Sequence, residues 1–385
     1  MKIEQNIARL KYLLSLYKMS VDDLLGIISE GLKKPITKEN ILSPEIDLGH
    51  LKRIDKVFNK GLHFYLDPKS PEISSDASIF FRKQKFDIEL NIGAKKIVNQ
   101  FEEFKISLSA IAKLADLNIE RVLPVFNVKD NPKEVAQKLR GQLYPEFSND
   151  KKEFLKRLIS KLAEYNILVF EFVETWNKKE KANIDGFFLN PNVIVLKRQQ
   201  TSFRREIFTL IHEFGHFLLN EEEVEQLDYN NLVKKNLSAI EKWCNDFAYY
   251  YLVGDHVKIL DAIVKADSSN DYHFDEIKEI SKKTHLSQIA LFTRLLFQNK
   301  ISPANYKNIK NDFDERFKAK QEEEKIQREL EKQSGIKPGG STPKPINSPL
   351  LISTIQTAFY SGVINEFEVC KKLNISPERF EMYIQ

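Results

Sequence analysis

Two histidines four residues apart, with a glutamate directly after the first, lie in Phe208-Thr209-Leu210-Ile211-His212-Glu213-Phe214-Gly215-His216-Phe217-Leu218-Leu219. The run holds no proline, and its apolar positions keep helical spacing. On a helix His212 and His216 leave one face a turn apart, so two ring nitrogens can reach one zinc ion at ~2.0–2.1 Å. Glu213 stands about 100° further round, beside the metal rather than on it, where a carboxylate can take a proton from water. The bland alternative is two ordinary helical histidines among the seven in the chain. Gly215 weighs against it. A mid-helix glycine costs about 1 kcal/mol relative to alanine, and a second helix packed close over this point would explain it.

A catalytic zinc takes three protein ligands and keeps one position open. Three sources compete for the third place. His256 follows Gly254-Asp255, where a helix should end, and the acidic run Glu221 to Glu225 lies just past the first helix. Glu241 sits in Ile240-Glu241-Lys242-Trp243-Cys244-Asn245-Asp246-Phe247-Ala248, where Glu241, Asn245, Ala248 and Leu252 share one helical stripe. The stripe favours Glu241, because it would turn a carboxylate, an amide and a small residue toward the first helix. Asn245, one turn on, and Asp246, less well placed, are candidates to orient a ligand from behind. Cys244, between Trp243 and Phe247, reads as a buried structural cysteine, with nucleophile and ligand as the rival roles. Tyr249, Tyr250, Tyr251 and His256 all remain open as the group that stabilises an oxyanion.

The elements that must position these residues begin upstream. Lys152 to Tyr165 reads as a long helix with Phe154, Leu155, Leu158, Ile159 and Leu162 inward, followed by the strand Ile167 to Phe172. Gly186-Phe187-Phe188-Leu189 and Val193-Ile194-Val195-Leu196 read as a hairpin across Asn190-Pro191-Asn192. If one of its strands is an exposed edge, an extended substrate segment can pair with it, which makes Gly186, Phe187, Phe188, Val193, Ile194 and Val195 substrate-strand candidates. Lys197, Arg198, Arg204 and Arg205 follow the hairpin. They either steer an acidic substrate or form a solvated face, the commoner role for charges near a turn. After Arg198 the chain is almost wholly helical.

Residues 1–77 read as a helical, helix-turn-helix-like region. Ser20 with Asp22 and Asp23 forms an N-cap and acidic first turn, and Thr37 is a second cap candidate. Leu62, Phe64 and Leu66 alternate, and Ser78-Ile79-Phe80-Phe81-Arg82 is strand-like. Residues 78–318 form the hydrolase domain. Residues 319–348 are expected to be a flexible linker, charged and then Gly/Pro-rich, because they hold too little apolar surface to offset the entropy of ordering. Residues 349–385 make a small helical module. The linker is long enough for tethered autoinhibition by this tail.

Composition bounds the rest. The 385 residues are 42% hydrophobic and 30% charged, enough for one or two real cores, and 13 glycines and 14 prolines exclude collagen-like or wholly disordered chains. A net charge of +4 is too mild for a dedicated nucleic-acid binder. Residues 1–70 carry 12 basic and 9 acidic residues, weak support for DNA binding there. Cys244 and Cys370 are the two cysteines, which excludes a disulfide scaffold and a four-cysteine zinc site. The first residues lack a secretory layout, and no apolar run approaches the ~20 residues of a membrane span. A cytoplasmic protein that does not engage membranes is expected.

His212-Glu213-Phe214-Gly215-His216 together with Glu241 to Ala248 resembles the ImmA/IrrE metallopeptidases. Similar too are Asn131-Pro132-Lys133-Glu134-Val135-Ala136, the hairpin from Asp185 to Val195, Ser78 to Lys83, and Leu286 to Arg294. The resemblance covers about 78–310. HExxH alone is shared by many zinc hydrolases; its pairing with the Glu-x-x-Cys-Asn helix is far more specific. The resemblance implies an α+β, predominantly helical, zincin-like core with a small antiparallel sheet on the HExxH helix. It implies one zinc ion per chain held by His212, His216 and Glu241, with Glu213 catalytic. It further implies cleavage of a helix-turn-helix repressor or antitoxin, in stress response or mobile-element and phage-related regulation. Many members carry an N-terminal helix-turn-helix, but here Val21-Asp22-Asp23-Leu24-Leu25 replaces the usual Gln-x-x-Leu-Ala, so a docking role competes with DNA binding. The principal rival function is a non-proteolytic regulator or adaptor binding protein or DNA, with zinc structural or vestigial. A zinc hydrolase of small molecules is the second.

Overall fold

The computed structural model describes residues 1–71, 78–82, 90–174, 181–198, 202–225, 237–266, 272–334 and 344–384. The fold is α+β and predominantly helical. It divides into two compact units, Met1–Phe104 with Glu180–Asn183, and Lys105–Lys179 with Ile184–Gln385.

The first unit comprises β1 (Lys2–Glu4), α1 (Ile7–Leu16), α2 (Val21–Ser29), α3 (Lys38–Ile41), β2 (Glu45–Asp47), α4 (Leu48–Phe58), α5 (Leu62–Leu66), α6 (Ile79–Arg82) and the start of α7 (Ile92–Leu114). Ser20 caps α2 in a reciprocal box with Asp23. β1 and β2 pair antiparallel, Ile3 opposite Ile46. Two strand expectations fail here. Leu62 to Leu66 is helix, and so is the Ile79–Arg82 segment. The second has a visible cause. Glu102 of α7 accepts from Ser78 Oγ and Ile79 N, both at 2.6 Å, and Ser78 Oγ accepts from Phe80 N, so the first turn of α6 has its donors satisfied.

The second unit continues with α8 (Pro132–Leu143), α9 (Lys151–Ala163), β3 (Leu168–Val173), β4 (Gly186–Leu189), β5 (Val193–Arg198), α10 (Phe203–Leu219), β6 (Val224–Glu225), α11 (Ala239–Val253), α12 (Val257–Ala262), α13 (Phe274–Thr284), α14 (Gln288–Phe297), α15 (Pro303–Gln333), α16 (Pro349–Tyr360), α17 (Glu366–Leu373) and α18 (Phe380–Ile384). The β4–β5 hairpin forms as expected, but the sheet is mixed rather than antiparallel. Its order is β3-β5-β4-β6, with β3 parallel to β5 and the other pairs antiparallel. α10 lies on β4 and β5, with α9 and α11 also packed on it. It is buried without interruption from Glu206 to Leu219. A helix buried all round carries its polar residues into the core, where each needs a partner.

The expected linker is also corrected. Residues 319–333 extend α15 as an exposed helix. Its Glu, Lys, Gln and Arg residues are good helix formers that pair one turn apart, as Glu324 does with Arg328 at 3.6 Å. Low apolar content rules out burial, not helix. Residues 335–343, with most of the Gly/Pro-rich stretch, lie outside the described residues. Just beyond them Ile346 packs on the core, Asn347 N donates to Glu171 Oε2 at 2.8 Å, and α16 rests on α9 and β3.

Arg198 is not on a solvated face. It is 1% exposed, and bonds Glu171 of β3 at 2.6 Å and Glu206 of α10 at 2.8 Å. Lys197 of β5 pairs with Glu174 just past β3, bracing the sheet, and Arg205 of α10 pairs with Asp185 just before β4, tying the helix to it. Replacing Arg198 with alanine removes the cation that faces both buried carboxylates, and denaturant unfolding should show a loss of about 3–5 kcal/mol. Arg157→Ala, breaking an exposed pair with Glu146, should cost under about 1 kcal/mol.

Candidate metal centre

α10 brings the two histidines together because its ends are held. Ser202 Oγ accepts from Arg205 N at the start. At the other end Asn220 adopts the left-handed conformation, and Arg121 donates to Phe217 O and Leu218 O while its guanidinium lies over the Phe217 ring at 3.9 Å. α11 is positioned as firmly. Ser238 Oγ accepts from Glu241 N, and Trp243 Nε1 donates to Asp130 O at 2.8 Å, just before the Asn131 cap and N1 proline of α8.

The two helices meet closely at Gly215. A Cβ there would lie 3.2 Å from the Cα, Cβ and Sγ of Cys244. Phe214 packs edge-on against Phe247 beside this contact. The approach sets Glu241 against both rings, Oε1 3.1 Å from His216 Nε2 and Oε2 3.4 Å from His212 Nε2. The two Nε2 atoms are 3.2 Å apart. His212 and His216 are fully buried, with Glu213 1% and Glu241 2% exposed. Among the described residues this is the one His/Cys/Asp/Glu group whose ligand atoms converge in this way.

The spacing fits a metal ion. Ligands ~2.0–2.2 Å from a tetrahedral zinc stand about 3.3–3.5 Å from one another, close to the three separations here. The tautomer fits as well. His216 Nδ1 lies 3.2 Å from Glu221 O, and a carbonyl only accepts, so Nδ1 carries the proton and Nε2 offers its lone pair to the centre. The residues present therefore suit a cation such as zinc.

Electrostatics separate the two carboxylates. Burial pushes Glu213 up to about 7, against the pull of His216 and His212, with Glu241 and Glu223 adding to the rise. Burial also opposes charge on Glu241, but the two histidines outweigh it and hold Glu241 below the usual carboxylate range. One carboxyl is thus tuned to exchange a proton near neutrality and the other to stay anionic. Glu213 Oε2 is buried and has no hydrogen-bond partner among the described residues, leaving it open to a reacting group. The Cys244 thiol is raised by burial, which suits a packing residue.

The remaining candidates scatter. Asp246 pairs with Arg294 at 2.8 Å and not with the ligands, and Asn245 Oδ1 is buried without a hydrogen-bond partner among the described residues. Glu221 serves through its carbonyl, not as a ligand, and His256 lies in a turn after α11. Tyr250 bonds Arg294, Tyr251 is packed among Phe214, Phe247 and Tyr144, and the Tyr249 hydroxyl is buried without a hydrogen-bond partner among the described residues. Gly186, Phe187, Phe188, Val193, Ile194 and Val195 all lie buried in β4 and β5. Glu223 is the neighbour that sequence reasoning left undistinguished within its acidic run; its alternation with Val224 was too short to signal a strand.

A two-helix site of two histidines and a glutamate, backed by a mixed sheet, forms a cluster that could hold a metal ion. Residues 163–286 match the family model described as the IrrE N-terminal-like domain, a peptidase family. This segment, from the end of α9 through α13, is similar to the ImmA/IrrE family. No curated protein matches the chain. Among the described residues, no helix is long and apolar enough to cross a membrane.

Metal analysis of protein purified without added metal should find about one zinc per chain in wild type and Glu213→Gln, and little in Glu241→Ala, which lacks the third ligand. Gly215→Ala should overpack the helix contact at a cost of about 1–3 kcal/mol. By moving Glu241 it should weaken zinc binding roughly 10–100-fold in chelator competition. Gly141→Ala, with open space around the added carbon within α8, is the control: it should leave zinc binding unchanged and stabilise the fold by up to about 1 kcal/mol.

Proposed function

We propose that the chain is a zinc-dependent endopeptidase that cleaves a protein partner, a helix-turn-helix repressor or antitoxin, in stress-response or mobile-element regulation. The observation that carries the reading is the convergence of His212, His216 and Glu241 with Glu213 one residue from the first ligand. When bound at these residues, zinc supplies a Lewis acid that activates water and polarises a carbonyl. Glu213 takes the proton from the attacking water on its open oxygen and passes it to the leaving amine nitrogen. Glu241 remains anionic and holds the positive charge in place. The match to a peptidase family supports a peptide bond over a small molecule as the target.

Incubation with helix-turn-helix repressors encoded beside this gene, read by mass spectrometry of the fragments, tests the proposal. Wild type should give one defined cut. Glu213→Gln should lower the rate by about 10²–10⁴-fold while keeping its zinc. Zinc-loaded wild type that cuts none of them, nor unfolded casein, would favour the regulator reading.

A further inference from the structure

β4 passes the candidate catalytic carboxylate at close range: a Cβ on Gly186 would come within 3.1 Å of Glu213 Cγ. One edge of β4 pairs with β5 from Gly186 to Leu189. The other edge is occupied by the chain itself. β6 pairs with it antiparallel, Gly186 with Glu225 and Phe187 with Val224. Just before β6, Glu222 Oε1 accepts from Asn190 N at 2.9 Å, which ties this strap to the β4–β5 turn. Val224 is fully buried and Glu223 is 7% exposed, near enough to Glu213 for their charges to repel. Glu213 and the three ligands are at most 2% exposed, so this closed arrangement offers an incoming polypeptide little surface of the centre itself.

We propose that Glu222–Glu225 is a stand-in for substrate, and that an extended segment with an apolar residue in the Val224 position and an acidic one two residues earlier replaces it on β4. The proposal rests on the peptidase reading above. Strand exchange suits the energetics. A two-residue strand is weakly held on its own, and an incoming strand satisfies the same N–H and C=O groups of β4 that the strap releases. The ladder bonds nearly cancel between the two states. The difference is then set by how well a side chain fills the Val224 site and how well an acceptor serves Asn190 N–H. Self-pairing also covers an edge that would otherwise invite association.

The test uses the full chain in the Glu213→Gln background and a fluorescein-labelled synthetic peptide reproducing residues 220–225. Binding is read by anisotropy. Val224→Asp disfavours the strap's burial, so the peptide should bind that variant roughly 10–100-fold more tightly than the strap-intact chain. Glu222→Ala, which leaves Val224 and the core untouched, should move affinity the same way by a smaller factor. A peptide with its valine replaced by aspartate should bind none of them. With Glu213 restored, cleavage of fluorescein-casein should rise in the same order. Equal peptide affinity across all the chains would overturn the proposal and place substrate elsewhere, for instance on the outer edge of β6. A clear affinity contrast with neither casein nor the repressors cut by any chain would support the strap and sink the peptidase reading. Casein cleaved at one rate by every chain, without an affinity contrast, would do the reverse.

Discussion

The contact between α10 and α11 at Gly215 is the constraint on which the metal centre depends. Glu241 belongs to a helix that begins beyond residue 237, and nothing local holds it near His212 and His216. It meets both rings because the helix backbones approach where one side chain is a hydrogen and the facing one is Cys244. Any larger residue at 215 would lengthen the 3.1 and 3.4 Å separations that make the three donors a single site. The glycine is unfavourable for the helix in isolation, and the tertiary contact offsets that cost.

A second constraint follows from burying α10 on every side. Its polar residues cannot turn to water, so their partners shape the surroundings. Glu206 is met by Arg198, which in turn ties Glu171 of β3 to the assembly. The other oxygen of Glu171 accepts from Asn347 N, so one carboxylate joins the sheet, the arginine and the start of the C-terminal helices. The tail is thus seated on the α9–β3 side through a group that also sets the start of α10, a coupling with a stated physical link even though the residues are far apart in sequence.

The legible parts of this architecture were those encoded by local period. The i, i+4 histidines, the Glu241-Asn245-Ala248 stripe, the β4–β5 hairpin and the inward residues of α9 all declare themselves within about a dozen residues. The parts that were not legible depend on partners elsewhere. β1, β2 and β6 have three residues or fewer, too short for alternation to register, and exist through pairing alone. The parallel β3–β5 ladder places the two strands side by side across the β4 strand that lies between them in sequence, which an apolar run does not announce. Ser78 to Arg82 has strand-like composition, yet Glu102 supplies the acceptors that make it helical. Arg198 reads as a surface charge until Glu171 and Glu206 surround it. The exposed end of α15 shows the opposite limit: its composition excludes a core, but composition cannot distinguish a solvated helix from a coil.

Burial serves two purposes at the centre, and they conflict. Exclusion of water raises Glu213 to about 7 and keeps Glu241 paired with the histidines, the division of labour that proton transfer requires. The same exclusion leaves an incoming polypeptide little surface of the centre itself. The conflict is resolved if the cover is an element whose interactions a substrate can reproduce, because opening then exchanges one set of backbone hydrogen bonds for another instead of exposing them to solvent. β6 meets that condition better than the core helices around it. It pairs with β4 at Gly186 and Phe187 and is preceded by the Glu222 bond to Asn190, whereas α11 is fixed by its Gly215 contact, its Trp243 bond to Asp130 and its apolar packing on Phe214. The element that can yield is therefore the one that already has the geometry of a bound peptide.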